Sequence, residues 1–585
     1  MRKIFVLAGC AGVAIMFGLW TQALSRPTEQ SLSEPPITQS GDAVQPTLSG
    51  IVVPHHDIVR ARRAELFSTI HKRFFLFSDP QTIIIISPNH FEQGKGDVQT
   101  TDLLWHTSDG DIAPNKEIID QLSADKIATK ETDSFAREHG ISLILGDIKK
   151  TFPHASLVPI IIKRNTSEKE IDRLATSLNA RCPACFVVAS VDFSHYQPAL
   201  LGALHDQLSL RALQNRDIPL LLKHAEVDSP ASLAFLAQWA ILHHTERFTL
   251  FDHTNSGVIS GHPDEEATTH IFGWYEQGVK NSPPNTTTFM IGGDMMFGRS
   301  VGYRYESRGY TKLFDLFGER VFWGVDAALV NLEGPITTAP VRYDPALRSL
   351  TFLFPKKSIS ALSYLHIDGV SLANNHTLNH GQIGFSETRS LLKKNGISSI
   401  GDPAHVSDTS VSYFDGQGIR LAVIGVHALI DSHGTVELIK KIKKDAHTRI
   451  LVFPHWGIEY ALVHSRQQET LARSWIDAGA DVIIGAHPHV IEDVDVYRGK
   501  PIIYSLGNFI FDQTFSKNTQ QGLLVGGSFS DTGLSLYLFP LQTKGFQPFL
   551  LQGKEKQTII DRITKNVQKY QKQSDAGSFL FFPFQ

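Results

Sequence analysis

Cysteine is nearly missing from this sequence: 585 residues contain three, at positions 10, 182 and 185. A zinc site held by four thiolates is thereby excluded. Cys182-Pro-Ala-Cys185 has CxxC spacing and reads as a structural disulfide or two inert thiols, with a redox pair or half a zinc site as the other options. A charge excess is also lacking. Lys and Arg number 55 against 59 Asp and Glu, a formal net charge of −4. That balance has no basic footprint, so no nucleic-acid partner is expected. Any polyanionic substrate needs a local positive site, which bound metal ions would supply. Long apolar runs are absent after the first twenty residues, so no later transmembrane span is expected.

The first residues differ from the rest. Met1-Arg2-Lys3 is basic and Ile4 to Trp20 is nearly all apolar. We read residues 1–23 as a signal peptide or amino-terminal membrane anchor. Residues 24–49, rich in Ser, Pro, Thr, Glu and Gln, read as a flexible tether. Membrane contact is expected through this segment only, with the remainder extracytoplasmic, periplasmic or at the cell surface. At 42% hydrophobic and 19% charged residues, the chain is globular and too long for one core. Residues 50–278 and 289–551 read as two domains joined by a linker at 279–288, with a carboxy-terminal tail at 552–585. In both domains short Val/Ile-rich runs alternate with mixed segments, which predicts α/β folds.

Histidine is abundant, at 26 residues, and its positions matter more than its number. In covered sheets, ligands gather beyond the carboxyl ends of strands. In the second domain, polar clusters follow predicted strands at Asp294, Asn331-Leu332-Glu333, Asn374-Asn375-His376, His455 to Glu459, and His487-Pro488-His489. A two-metal hydrolase needs anionic oxygens to hold and bridge the ions and neutral imidazoles to complete their shells. Asp294, Glu333, Asn375, His455, His487 and His489 are the candidate ligands. Read as an extended segment, His487 and His489 face one side. Gly293 and Gly485 permit close backbone approach.

These motifs resemble the CapA family of poly-gamma-glutamate capsule synthesis, a branch related to calcineurin-like metallophosphoesterases. The matching elements are Gly293-Asp-Met-Met-Phe-Gly-Arg299, Asn331-Leu-Glu-Gly-Pro335, Asn374-Asn-His376, His455-Trp-Gly-Ile-Glu-Tyr460, Gly485-Ala-His-Pro-His-Val490 and Tyr504 to Gln513. The resemblance implies a four-layer α-β-β-α sandwich with two divalent ions, Mn, Fe or Zn. It also implies that Asn375 and His376 face the reacting group, with His376 as proton donor and Arg299 as a clamp for anionic oxygens. One departure stands out: Asn379-His380 precedes Gly381 where the family carries a carboxylate.

In the first domain, Val53-Pro-His55-His56-Asp57, Ser87-Pro-Asn-His90, Glu138-His139 and Ser190-Val-Asp192-Phe-Ser-His195-Tyr196 also follow or flank predicted strands. Asp206 is a further candidate. These segments resemble the Memo-like family, or AmmeMemoRadiSam system protein B. That implies a class III extradiol dioxygenase-like fold and a pocket of His55, His90, Asp192 and His195 able to take a single metal ion. The family's pocket cysteine aligns with Val227-Asp228-Ser229, so thiol chemistry is not expected. His56 and Asp57 are possible compensating ligands.

The expected activity is therefore extracytoplasmic, metal-dependent hydrolysis of a phosphoester or of an envelope polymer such as poly-gamma-glutamate, alongside membrane-bound capsule or envelope machinery. Two alternatives stay open: a non-enzymatic component that binds or exports an anionic polymer, and metal-dependent oxidative chemistry in the first domain.

Overall fold

The computed structural model describes residues 47–341 and 351–584. Residues 1–46, which include the leader and most of the tether, lie outside the described residues. Among the described residues, no helix is long and apolar enough to cross a membrane.

Runs of β-branched residues form the first-domain sheet. Its centre is four parallel strands, Ser156–Ile162, Thr82–Pro88, Phe186–Ser190 and Leu48–Val53, in that spatial order. Thr82–Pro88 is buried along its whole length, so both of its faces are covered and a period-two pattern is absent. Thr269–Glu276 and Arg247–Asn255 extend the sheet antiparallel beyond Leu48–Val53. The helix Glu168–Arg181 opens on a capping box, Ser167 with Glu170. It ends at Cys182, which is disulfide-bonded to Cys185.

The second domain has two sheets. In one, Ser398–Ile400, Gly369–Ser371, Ala327–Leu332 and Thr286–Met295 are parallel neighbours, followed by antiparallel Gln521–Ser530 and Gly533–Lys544. In the other, Arg420–Val426, Thr448–Pro454, Val482–Ile484 and Lys500–Ile503 run parallel. Their inner faces share one apolar core, with Ile291, Leu329 and Val525 against Val423, Leu451 and Ile484. Outside the second sheet, the helices Thr435–Ile442 and Arg466–Ala478 close a further core on Trp475 and Ile476. Both sheets thus present parallel carboxyl ends to one region.

One boundary expectation needs correction. The segment set apart as a tail is integral to the fold. The helix Gly553–Ile563 buries Ile559 and Ile563, and Gly577–Pro583 pairs with Gly533–Lys544. Its alternation places Leu580 and Phe582 in the core, a burial invisible when the segment is read alone. The linker is pinned: Asn281 brackets the main chain of Phe248, accepting at 2.7 Å and donating at 3.0 Å. The domains pack directly. The fully paired Arg211–Asp326 bridge crosses between them, and the helix Ala199–Asn215 contributes Leu200, Leu201 and Leu204 to the second domain's core.

Candidate metal centres

Asp294 lies near the end of Thr286–Met295 and is fully buried. Its Oδ1 accepts from the Asn331 amide at 2.7 Å, and its Oδ2 from the His487 main-chain N–H at 3.3 Å. Glu333 follows Ala327–Leu332, also fully buried, and neither of its oxygens has a hydrogen-bond partner among the described residues. His455, after Thr448–Pro454, sets Nε2 2.9 Å from the Asn375 carbonyl oxygen. Ligand atoms of Asp294, Glu333 and His455 lie within 4.8 Å of one another, as do those of Glu459, His487 and His489. His489 joins the two groups: its Nδ1 is 3.2 Å from Asp294 and its Nε2 3.7 Å from Glu333.

The electrostatics are those of carboxylates and imidazoles crowded together away from water. Burial and the neighbouring Asp294 push the Glu333 carboxyl well above its usual range. Burial opposes a charged His489, but Glu333 and Asp294 overrule it and raise it to about 9. His455 is held well below the ordinary histidine value by burial and by His487, and His487 is lowered to about 4 by burial and by His489. Both are therefore neutral at pH 7, the form that ligates metal. A bare carboxylate beside another in a dry pocket costs several kcal/mol unless a cation neutralises it. The orphaned oxygens of Glu333 and the orphaned Nδ1 of His487 fit divalent ions, and an oxygen/imidazole donor set suits Mn, Fe or Zn.

His487 and His489 do not lie on an extended strand. Their φ angles are 101° and 58°. The chain turns through left-handed conformations, and the turn itself, not strand alternation, aims both rings inward. Non-glycine residues hold such angles where surrounding packing over-determines them, often at functional sites. Arg299, also at positive φ, pairs with Asp512 and packs over Phe352 at 5.2 Å. Its Nε and Nη2 both donate to Asp512.

His376 places Nε2 3.8 Å from Glu333 and Nδ1 3.0 Å from the carbonyl oxygen of Asn379, and it stacks on Phe352 at 3.8 Å. Asn379 also accepts from the Phe352 main chain at 2.7 Å. An amide thus orients His376 where a carboxylate is expected. Burial lowers the His376 pKa, and the Asn379 bond only partly offsets this. A proton donor with a lowered pKa loses activity as pH rises through that value. Asn379→Asp places a negative charge against Nδ1, so the alkaline limb of the kcat–pH profile should move up by about one unit, worth about 1.4 kcal/mol. An unmoved limb would show that His376 does not titrate in the reaction.

Sequence reasoning placed Asn331 and Glu459 in the polar clusters and Asn508 in a matching motif, but gave none of the three a role at the centre. Asn508 sets its carbonyl oxygen 3.0 Å from the His489 Nδ1. Glu459 carries a carboxylate four residues after His455, a signal that was available. The two amides do not titrate, and only their hydrogen bonds reveal them.

In the first domain, His55 and His90 follow Leu48–Val53 and Thr82–Pro88. His55 Nε2 lies 3.4 Å from both Asp192 and Asp228. His90 Nε2 is 3.7 Å from Asp228, and its Nδ1 is held by Glu138 at 2.5 Å. His139 stacks on His90 at 3.9 Å. Two sets converge within 4.8 Å: His55, His90 and His139, and His55, Asp192 and Asp228. His195 belongs to neither; its buried Nδ1 has no hydrogen-bond partner among the described residues. His56 pairs instead with His270 at 3.0 Å. Asp206 bonds His253 and Thr269, a structural use. Burial lowers His55 to about 3, and burial with Asp228 raises Asp192. Asp228 stands in the segment aligned with the family's cysteine and supplies a carboxylate. Its Oδ1 is another orphaned buried atom, which fits a single ion in this pocket.

Residues 288–513 match the model of the bacterial capsule synthesis protein PGA_cap, and residues 18–266 that of the Memo-like protein. The PGA biosynthesis protein CapA of Bacillus subtilis is 30% identical over 309 residues, covering 49% of this chain and 80% of that protein. The capsule biosynthesis protein CapA of Bacillus anthracis is 28% identical over 314 residues, covering 50% and 76%. A MEMO1 family protein of Thermotoga petrophila is 25% identical over 191 residues, covering 32% and 68%.

Proposed function

We propose, for a chain that belongs to the PGA_cap family of bacterial capsule synthesis proteins and carries a Memo-like domain ahead of it, that the second domain is a two-metal hydrolase. The observation that carries this reading is the pair of ligand sets, Asp294/Glu333/His455 and Glu459/His487/His489, joined through His489 with orphaned atoms at their centre. Divalent ions held there would polarise the scissile group and lower the pKa of an attacking water. The chain's own residues do the rest. Asn331 and Asn508 fix the ligands, and Asn375 orients His455. His376 stands at the edge with a proton to give, held by Asn379 and Phe352.

The packing of two sheets with flanking helices supports the four-layer metallophosphoesterase-like reading, and the parallel first-domain sheet supports the extradiol dioxygenase-like one. Relatives named for capsule and PGA biosynthesis support an anionic envelope polymer such as poly-gamma-glutamate as substrate, with a phosphoester as the alternative. Either substrate supports a site of action outside the cytoplasmic membrane, beside capsule or envelope machinery. The leader and tether would hold it there.

Incubating the Mn2+-loaded protein with poly-gamma-glutamate, followed by size, and separately with bis(p-nitrophenyl) phosphate distinguishes the bonds. We expect metal-dependent shortening of the polymer or release of nitrophenol. Polymer binding that persists in a metal-free protein, with neither bond cut, would favour the non-enzymatic reading.

A further inference from the structure

The carboxyl edge that carries the first-domain pocket also carries an incompletely paired cation. Arg164 follows Ser156–Ile162, the strand beside Thr82–Pro88. Its guanidinium lies 4.4 Å over the ring of Trp323, a residue of the second domain. Its Nη2 is closed off from solvent and has no hydrogen-bond partner, and no ion pair engages it among the described residues. A buried guanidinium nitrogen left unpaired is costly, because five donors in a fixed fork are made for carboxylate or phosphate oxygens.

The second domain closes this wall. Arg320 donates to Glu226 at 3.0 Å and sits 5.9 Å over the same Trp323 ring. Glu226, fully buried, accepts the main-chain N–H of His195 at 3.1 Å. The loop carrying Arg320 is seated by two more contacts: His205 Nε2 lies 3.3 Å from the Val321 carbonyl, and the Gly324 N–H donates to His224 at 3.0 Å. Arg320 and Glu226 cancel each other, while Asp228 belongs to the ligand set around His55. That leaves the Arg164 guanidinium without an ion pair of its own among the described residues.

The geometry points to a composite oxyanion subsite: the first-domain pocket takes a carboxylate- or phosphate-bearing ligand against Arg164, and the second domain supplies the other half of the wall through Trp323 and Arg320. This goes beyond hydrolysis by the second domain and does not depend on it. The fusion of the two domains then has a local reason, since the first-domain site is incomplete without the second.

The test uses the full chain carrying Asp294→Ala and His489→Ala, so that the second-domain centre cannot bind the probe. Loaded with Zn2+, it is titrated calorimetrically with inorganic phosphate and, separately, with glutarate. We expect saturable binding of at least one anion, and the tighter of the two names the ligand class. Arg164→Gln should weaken that binding at least tenfold, with Arg164→Lys in between. Trp323→Leu and Arg320→Gln should each weaken it at least threefold. Trp323→Leu leaves the Arg320–Glu226 pair intact, so it still reports if Arg320→Gln fails to fold. Absence of binding by either anion, or equal binding by Arg164→Gln, overturns the subsite. Dependence on Arg164 with indifference to Trp323→Leu overturns the second domain's share.

Discussion

Asp294→Asn should abolish metal-dependent stabilisation and lower any hydrolytic rate of the second domain by about two to three orders of magnitude, a barrier increase of about 3–4 kcal/mol. Asp294 is the carboxylate at which the two ligand sets meet. It faces Glu333 and His455 on one side and His489 on the other. Its Oδ1 takes the Asn331 amide and its Oδ2 the His487 main-chain N–H. Whichever way an asparagine is turned, its NH2 meets a donor, so one buried hydrogen bond is lost at about 1–3 kcal/mol. The charge that holds the ion is lost as well. In the metal-free protein a contribution of opposite sign enters. Asp294 is one reason why the Glu333 carboxyl sits so far above its usual range, and neutralising it relieves that repulsion. The parent should therefore melt at higher temperature with Mn2+ than with chelator, since a ligand at 100 times its Kd stabilises by about 2.7 kcal/mol. The variant should melt at one temperature in both. A metal-dependent shift that survives in Asp294→Asn would remove this residue from the centre.

Much of this site was legible because strands announce themselves chemically. Thr82 to Ile86, Ile450 to Phe453 and Val482 to Ile484 are apolar and rich in β-branched residues, and the structure makes strands of all three. Their first polar residues are then placed at the carboxyl edge by geometry alone. What such reading loses is anything set by partners distant in sequence. Asn331 and Asn508 act through neutral amides, which leave no signature of charge. Glu226 and Arg320 are 94 residues apart and meet only because the domains pack. The His487–His489 turn was misread because apolar runs predict strands, while left-handed φ at non-glycine residues is imposed by the surrounding fold. Gly577–Pro583 was misread as a tail because its partner strand, Gly533–Lys544, lies beyond an intervening helix.

The close approach expected at Gly293 leads to a second large effect, on the fold itself. A Cβ there would fall under 3.0 Å from the Gly507 carbonyl oxygen, and the next atom it meets is the Gly507 carbonyl carbon. Both are backbone, so no rotamer change can make room. The main chain is held on that side by the Asp294 N–H, which donates to the same Gly507 oxygen at 3.1 Å. The strand cannot retreat the other way, since Thr286–Met295 pairs with Ala327–Leu332 on one edge and Gln521–Ser530 on the other. Overpacking of this kind costs about 1–3 kcal/mol, and more where nothing flexible can yield. Gly293→Ala should therefore lower the melting temperature by at least about 6 °C, taking 3 kcal/mol at 2–4 °C per kcal/mol for a domain of this size. Because the displaced residue is the neighbour of Asp294, metal affinity should fall along with stability. The control is Gly146, in the helix Leu145–Thr151, where an added Cβ meets nothing within 4 Å. Gly146→Ala should be neutral or stabilising by about 0.4–1 kcal/mol. Thermal melts of the two variants with and without Mn2+ decide the matter. A Gly293→Ala protein that melts and binds metal like its parent would mean that this contact does not constrain the centre.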